Sequence, residues 1–402
     1  MTSRSVNRRA ALRSGCMHCL GLTGLFGGLS AQSQTVPNVE APALQPVVPS
    51  GRFARPALDS DEGGLWAMMD REETRLRRSP FAVRDKGLTQ YLEDLVCRLA
   101  GDHCPDIRIH VVRTPLFNAS MAPNGMMQVW TGLLLRVENE AQLAAVLGHE
   151  MGHYLERHGV ERLRDAKNRA AFAQFLGMFG AVGALGQLGM LAGAFAFSRE
   201  HEIRADQLGM RLMQRAGYDG QQAARVWDNL LGELEITGGK DAGSRSPMMA
   251  THPPVLTRRD DLLRLAGSAS GKTGAQEFQQ AIARQRFDWL QDEIKRGQFE
   301  ESLVLLDRLI KLDTTDAQLL YTRGEVYRLR AVGEDSQKSL TDLTQATALQ
   351  TPPPQTYRSL GLLHKQRQSA APAIQAFEKY LVALPDAADA SLIKNYITEM
   401  TP

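Results

Sequence analysis

The sequence predicts a mainly α protein, with an α+β domain that contains a small sheet and an α-helical repeat domain after it. Apolar residues recur at helical spacing along most of the chain. Only two short segments, at residues 106–113 and 126–131, have the alternation or composition of strands. From about residue 284 three similar segments can be aligned, and a chain of 402 residues has room for both domains.

The first 33 residues have the anatomy of a signal peptide. Four arginines precede an apolar stretch without acidic residues, and small residues follow where a cleavage site is expected. This pattern predicts export, and a disordered basic tail is the alternative. The pair Arg8 and Arg9 is compatible with twin-arginine export, but the sequence does not decide between that route and the general secretory one.

Residues 34–62 are rich in proline and glycine and have no periodicity, which predicts a linker. The first folded domain is then expected at residues 63–270 and the repeat domain at residues 284–402. A hydrophobic content of 43% is enough for a sizeable core. The net charge of +2 excludes nucleic acid as an expected partner.

Two cysteines, Cys97 and Cys104, lie outside the signal segment and close together in the sequence. In an oxidising compartment they are able to form a disulfide. Two buried free thiols satisfy the sequence equally well, and the pairing is left open.

The elements of the first domain follow in order. A helical pattern runs from Leu65 to Leu99, and the β-branched segment 106–113 predicts a strand. A Pro-Asn-Gly turn leads to a second short strand from Met126 to Thr131. A long helix comes next, so a small sheet should lie beside the opening of that helix.

This long helix, in "NEAQLAAVLGHEMGHYLERH", carries the chemistry. Asn139 is placed to cap it, with Gln142 three residues on in capping-box position. His149 and His153 are four residues apart and project from one helical face, so both imidazoles can bind one zinc ion. Glu150 lies one residue round and can reach a water molecule at the metal. Two ordinary histidines on a helix are the alternative.

A catalytic zinc site needs three protein ligands and one open position. A third ligand on the same segment, as in metzincins, is not available, because His158 comes five residues after His153 and is expected to point off the face. A second helix in "SREHEIRADQLG" offers Glu202 and Asp206, again four apart on one face.

That second helix resembles the M48 family of zinc metallopeptidases, which carries an S-R-x-x-E-x-x-A-D-x-x-G pattern. The matching residues are Ser198, Arg199, Glu202, Ala205, Asp206 and Gly209. The resemblance implies a zincin-like domain with one zinc ion per chain. It also implies that Glu202 is the third ligand and that Asp206 orients a ligand histidine.

Two further segments resemble the family. "THPPVLTRR" supplies His252 and Arg258. The resemblance implies that one of them stabilises the oxyanion of the tetrahedral intermediate, or that His252 occupies the open zinc position in a resting state. The segment "FNASM" resembles the family's Asn-Ala segment and edge strand, which would hold an extended peptide by main-chain hydrogen bonds. The candidate substrate-binding residues are Asn118, Ala119, Ser120 and Met121, of which the last two depart from the family pattern.

Residues 172–197 contain no charge and are long enough to span a membrane. Zinc bonds of about 2 Å require Glu202 to return beside His149 and His153. A single crossing would carry Glu202 roughly 30 Å away. A helical hairpin over the site, with possible contact to a membrane surface, is therefore the favoured interpretation.

The C-terminal third predicts tetratricopeptide repeats. Leu312, Leu349 and Leu384 each close a helical segment before a turn, at intervals of 37 and 35 residues. These intervals are close to the period of about 34 residues in tetratricopeptide helix pairs. A generic helical bundle is the alternative.

Taken together, these features predict an exported zinc endopeptidase in which Glu150 is the general base. A family member joined to such repeats resembles the periplasmic quality-control type associated with outer-membrane protein assembly. The expected substrates are misfolded or unassembled envelope proteins, with a protein partner docked on the repeats. The alternative is a chaperone or assembly-factor binding protein whose protease site is gated or silent.

Overall fold

A computed structural model describes residues 51–167, 197–238, 248, 252 and 258–401. The predicted signal peptide, residues 34–50 of the predicted linker, and residues 172–196 of the uncharged run lie outside the described residues. Within the described ranges, no helix has the length and apolarity that a membrane crossing requires.

Two helices open the described chain. Helix α1 spans Asp61–Arg78 and helix α2 spans Lys86–Ala100, so the single helical pattern predicted from Leu65 to Leu99 is interrupted. The interruption has a local cause, because Pro80 disfavours helix at the preceding residue. Asp85 then accepts a hydrogen bond from the Leu88 N–H and starts α2 anew.

Three strands form the small sheet: β1 (Arg108–Val112), β2 (Ala119–Met121) and β3 (Met126–Trp130). Their order is β1-β3-β2, with β1 parallel and β2 antiparallel to β3. The outer side of β1 is bridged at Val112 by Ala82. The outer side of β2 has no strand partner among the described residues, so β2 is the free edge of the sheet.

Seven further helices precede residue 297 among the described residues. They are α3 (Thr131–Arg136), α4 (Glu140–Leu155), α5 (His158–Lys167), α6 (Arg199–Arg215), α7 (Gln221–Gly238), α8 (Arg258–Ala266) and α9 (Ala275–Arg296). Helix α4 is almost wholly buried and packs along α6 and against β2. The two predicted strands and the long helix after them are therefore present, and the mainly α fold with a small sheet is confirmed.

Six helices follow among the described residues: α10 (Phe299–Leu312), α11 (Ala317–Arg330), α12 (Asp335–Ala348), α13 (Pro354–Gln366), α14 (Ala370–Ala383) and α15 (Ala390–Met400). Helix α11 packs on α12, and α13 packs on α14 in the same way. A glycine sits at each crossing: Gly324 lies against Leu343, and Gly361 lies against Phe377. A side chain at either glycine would meet its apolar neighbour, so both helix pairs pack closely at the glycine.

A buried ion network joins the first domain to the helical region. Arg136 on α3 is buried and donates to Glu233 on α7 at 2.7 Å and to Glu293 on α9 at 3.0 Å. Arg308 on α10 pairs with Glu233 and with Glu138, each at 2.8 Å. Both carboxylates at Arg136 are themselves buried, so this network depends on complete pairing.

The cysteine pairing left open by the sequence is present as a disulfide between Cys97 and Cys104. It ties the end of α2 to the short 3-10 turn Gly101–Asp106. That turn carries His103, which packs near Phe53 and Tyr154. The disulfide therefore holds in place the turn against which Phe53 packs.

Candidate active site

Helix α4 presents the motif histidines from a well-defined start. The Asn139 side chain accepts a hydrogen bond from the Gln142 N–H at 2.9 Å, as the capping pattern predicts. The Gln142 side chain accepts from the N–H of Glu138, one residue before the expected position. His149, Glu150 and His153 lie in the second half of the helix and are each at most 3% exposed.

Helix α6 reaches α4 because small residues face each other at the crossing. A Cβ at Gly152 would lie 2.7 Å from the Ala205 carbonyl oxygen, and one at Gly209 would lie 2.7 Å from the His149 nitrogen. The two backbones are therefore in direct contact. This contact places Glu202 beside both histidines, although the sequence separates them by about fifty residues.

The spacing of these side chains fits a tetrahedral zinc ion. Zinc bonds of about 2.0–2.1 Å set ligand atoms roughly 3.3 Å apart. The Nε2 atoms of His149 and His153 are 3.1 Å apart. The Glu202 oxygens lie 3.5 Å from His149 Nε2 and 3.4 Å from His153 Nε2. Two imidazoles and one carboxylate are the donor set of a catalytic zinc site.

Glu150 lies beside this triangle and is not one of its corners. Its side chain is buried, and its Oε1 has no hydrogen-bond partner among the described residues. Burial raises the pKa of Glu150, against the opposing effect of the nearby His252 and His149. A buried carboxylate with a free oxygen is a group prepared to accept a proton.

Asp206 and Arg258 support the ligands from behind. The Asp206 Oδ1 lies 2.8 Å from His149 Nδ1, the ring nitrogen opposite the ligand atom. Arg258 donates to Asp206 at 2.7 Å and to Glu202 at 3.0 Å, and its guanidinium lies 3.9 Å above the ring of Trp227. Burial would raise the pKa of Asp206, but Arg258 and His149 outweigh it and hold that pKa low.

His252 closes the open side of the triangle. It is 2% exposed, and its Nδ1 lies 3.0 Å from Glu202 Oε1 and 3.2 Å from His149 Nε2. Its Nε2 lies 3.4 Å from Glu150 Oε1. His252 therefore belongs to the same group of potential ligands as His149, His153 and Glu202.

The edge strand β2 runs beside α4, and the predicted substrate residues lie on it. Ala119 is buried, whereas Ser120 and Met121 are half-buried. Asn118, just before the strand, is buried, and its side-chain oxygen has no partner among the described residues. A small pocket lined by Met121, His153 and Phe197 lies at the end of β2.

The prediction that His158 points off the helical face that carries the ligands was wrong. His158 does not point away from the site: its Nδ1 lies 2.9 Å from the Nδ1 of His153, and it is fully buried. Helix α4 ends at Leu155, and Arg157 then adopts a left-handed φ of 59°, which turns the chain back. Burial lowers the pKa of His158 to about 3, so the ring is neutral.

The site combines two histidines four residues apart on one helix, a carboxylate from a second helix, and a further carboxylate beside these three ligands. These are the features of the metal site of a zinc metallopeptidase. Residues 82–266 match the pattern of peptidase family M48. The chain therefore carries an M48 metallopeptidase domain, and zinc is the metal of that family.

Three relatives illustrate the match. Over 198 residues the chain is 36% identical to the mitochondrial metalloendopeptidase OMA1 of Arabidopsis thaliana, covering 46% of this chain and 39% of that protein. It is 28% identical over 324 residues to the beta-barrel assembly-enhancing protease of Yersinia pestis, covering 76% and 63%. With the Escherichia coli K12 protein of the same name it is 28% identical over 204 residues, covering 46% and 40%. The chain thus spans less than two thirds of each of these relatives.

Proposed function

We propose that this protein is a zinc-dependent endopeptidase that cleaves misfolded or unassembled proteins of the cell envelope. The observation that carries the proposal is the 3.1–3.5 Å triangle of His149, His153 and Glu202 with Glu150 beside it, whose Oε1 accepts no hydrogen bond among the described residues. The M48 match over residues 82–266 supports the same reaction class.

In this proposal His149 and His153 bind one zinc ion through their Nε2 atoms and Glu202 binds it through its carboxylate. The ion, when bound, supplies a Lewis acid that polarises the peptide carbonyl and makes the attacking water more acidic. Asp206 accepts the Nδ1 proton of His149 and so keeps Nε2 free for the ion. Arg258 acts through Glu202, Asp206 and His149, because its guanidinium contacts both carboxylates and lies 3.0 Å from His149 Nδ1.

Glu150 moves the proton. Its unpartnered Oε1 takes a proton from the attacking water and later gives it to the nitrogen of the leaving amine. His252, 3.4 Å from Glu150, is the candidate donor to the developing oxyanion.

The substrate is proposed to bind as an extended segment along the free edge of β2. Main-chain hydrogen bonds to Ala119, Ser120 and Met121 would hold such a segment without requiring one sequence. This mode suits unfolded chains, which expose extended backbone. The name of the Yersinia pestis relative, a beta-barrel assembly-enhancing protease, supports the assignment of envelope substrates.

The helices from α10 to α15 are proposed to be tetratricopeptide repeats that dock a protein partner, such as the outer-membrane assembly machinery. The equivalent glycine contacts at Gly324 and Gly361, 37 residues apart, support a repeat over a generic bundle. The basic and apolar N-terminal segment supports export to the periplasm. Surface contact with a membrane through residues 172–197 is part of the same proposal.

The decisive test is Glu150→Gln in the full chain. This variant should retain zinc, measured by elemental analysis, and lose casein cleavage by two or more orders of magnitude, since proton transfer contributes about 10²–10⁴-fold. His149→Ala should lose both zinc and cleavage. A Glu150→Gln protein that cleaves casein at the wild-type rate contradicts the assignment.

A second candidate function is a binding protein whose protease site is gated, and the position of His252 favours it. His252 lies within hydrogen-bond distance of Glu202 and His149, where the fourth zinc position is expected. Casein cleavage by wild type and His252→Ala, each with and without a chelator, separates the candidates. Chelator-sensitive cleavage in the variant alone indicates gating, and cleavage in neither indicates a silent site.

A further inference from the structure

His158 is a buried imidazole beside the metal site that the proposed mechanism does not use. It is 0% exposed, and its ring centroid lies 5.0 Å from that of His153. The left-handed residue Arg157 between α4 and α5 is what brings it there. Left-handed backbone at a residue other than glycine or asparagine carries a conformational cost, so a compensating role for the turn is expected.

The zinc bond and the contact between the two rings determine which nitrogen carries the proton in His153 and in His158. If His153 binds zinc through Nε2, its neutral ring carries its proton on Nδ1. That N–H points at the Nδ1 of His158, 2.9 Å away. The Nδ1 of His158 must therefore be the acceptor, and an imidazole whose Nδ1 accepts a hydrogen bond carries its ring proton on Nε2.

The other side of His158 is suited to that Nε2 proton. The Nε2 is buried without a partner among the described residues. His201 stacks on the ring with centroids 4.2 Å apart, and Glu161 lies 3.1 Å from the Nε2 of His201. One potential ligand atom of each of the three residues lies within 4.8 Å of the others, so a carboxylate oxygen of Glu161 lies within 4.8 Å of a ring nitrogen of His158.

His158, Glu161 and His201 also have the composition of a second cation site. The positions of the ring protons argue against such a site. A cation on His158 Nε2 would leave the proton of His158 on Nδ1. That proton would face the Nδ1 proton of His153 across 2.9 Å. The two cations would thus compete, and the contact to His153 would be lost.

We propose that His158 is a positioning residue for His153: it accepts the Nδ1 proton of His153 and directs its own Nε2 proton toward Glu161. His153 would then be held in the tautomer and orientation that present Nε2 to zinc, as Asp206 does for His149. The inference rests on the proposed zinc function. Removing such a partner of a ligand histidine typically lowers metal affinity by about 10–100-fold.

The test compares two substitutions in the full chain. His158→Asn keeps an acceptor, because the amide oxygen can take the place of the imidazole Nδ1. His158→Leu fills the space without an acceptor. Zinc affinity is measured by competition with a chromophoric chelator, and His364→Leu on α13, distant in sequence from the site, is the matched control. Urea unfolding in EDTA separates any loss of stability from a loss of zinc affinity.

We expect His158→Leu to bind zinc about 10–100-fold more weakly, with His158→Asn and His364→Leu close to wild type. Equal weakening by Leu and Asn, or no change in His158→Leu, overturns the inference while the proposed function stands. A second zinc equivalent that is lost in Glu161→Gln also overturns it. A wild-type chain that takes up no zinc overturns the proposed function and this inference together.

Discussion

The contact between α4 and α6 predicts that one added methyl group will damage the zinc site. In Gly152→Ala the new Cβ would lie 2.7 Å from the carbonyl oxygen and 2.8 Å from the Cα of Ala205. Ordinary contact begins at 3.4 Å, so the helices must separate by about 0.7 Å. Gly152 lies between His149 and His153, and Ala205 lies between Glu202 and Asp206, so the ligands move with the backbones.

The expected magnitudes differ for stability and for metal binding. Overpacking costs about 1–3 kcal/mol, while replacing a helical glycine by alanine contributes about 1 kcal/mol in favour of the folded state. The net loss of unfolding free energy without zinc is therefore about 0–2 kcal/mol. Zinc ligand distances tolerate only about 0.2 Å, so we expect zinc affinity to fall at least roughly tenfold.

Gly232→Ala is the matched control. Gly232 is exposed on α7 and has no atom within 4 Å of its added Cβ, so this variant should gain about 1 kcal/mol and bind zinc normally. Urea unfolding in EDTA and chelator competition measure the two quantities. If Gly152→Ala matches Gly232→Ala in both, the close packing is not what positions Glu202, and the reasoning is refuted.

Four further outcomes can be checked. Asp206→Asn should lower zinc affinity about 10–100-fold in the same chelator competition, and an unchanged affinity would contradict its orienting role. Arg136→Met should lower the urea unfolding free energy by up to about 3–5 kcal/mol, because it removes the buried cation between Glu233 and Glu293 and leaves each carboxylate with a single arginine partner. Burial raises the pKa of Glu293, but the neighbouring Arg136 and Arg296 outweigh it and hold that pKa below the ordinary value of 4.5. The ionised Glu293 therefore stabilises the folded state above pH 4.5, and this stabilisation is lost as the pH falls through the lower pKa of the folded state. Urea titrations between pH 7 and pH 3 should show a steeper loss for wild type than for Glu293→Gln. Reduction of the Cys97–Cys104 disulfide, which closes a short loop, should cost about 2–3 kcal/mol by urea unfolding.

Local spacing predicted which side chains share a helical face, and the resemblance to the M48 family implied the roles of Glu202 and Asp206. His149 and His153 share a face because any helix brings residues four apart together, and Glu202 and Asp206 do so for the same reason. The N-cap at Asn139 and the two predicted strands are also local features, and the structure contains all of them. The predicted helical stretch before them fails only where Pro80 interrupts it.

Contacts between distant segments could not be derived in this way. The sequence left the pairing of Cys97 and Cys104 open, because the distance between two cysteines depends on how α2 ends. It also did not predict the Arg136 network, since four helices contribute to it. The only local signals there were charged residues inside otherwise apolar segments.

His158 is the clearest example of a position that local sequence patterns did not predict. If α4 continued as a regular helix, His158 would point away from the zinc ligands. The left-handed turn at Arg157 could not be predicted, because the residue there is neither glycine nor asparagine. The sequence by itself determined which residue types form the metal site, because ligand spacing within one helical turn is fixed by the backbone. Only the tertiary structure decided which side chains stand behind those ligands, because a turn and a helix crossing depend on packing across the whole domain.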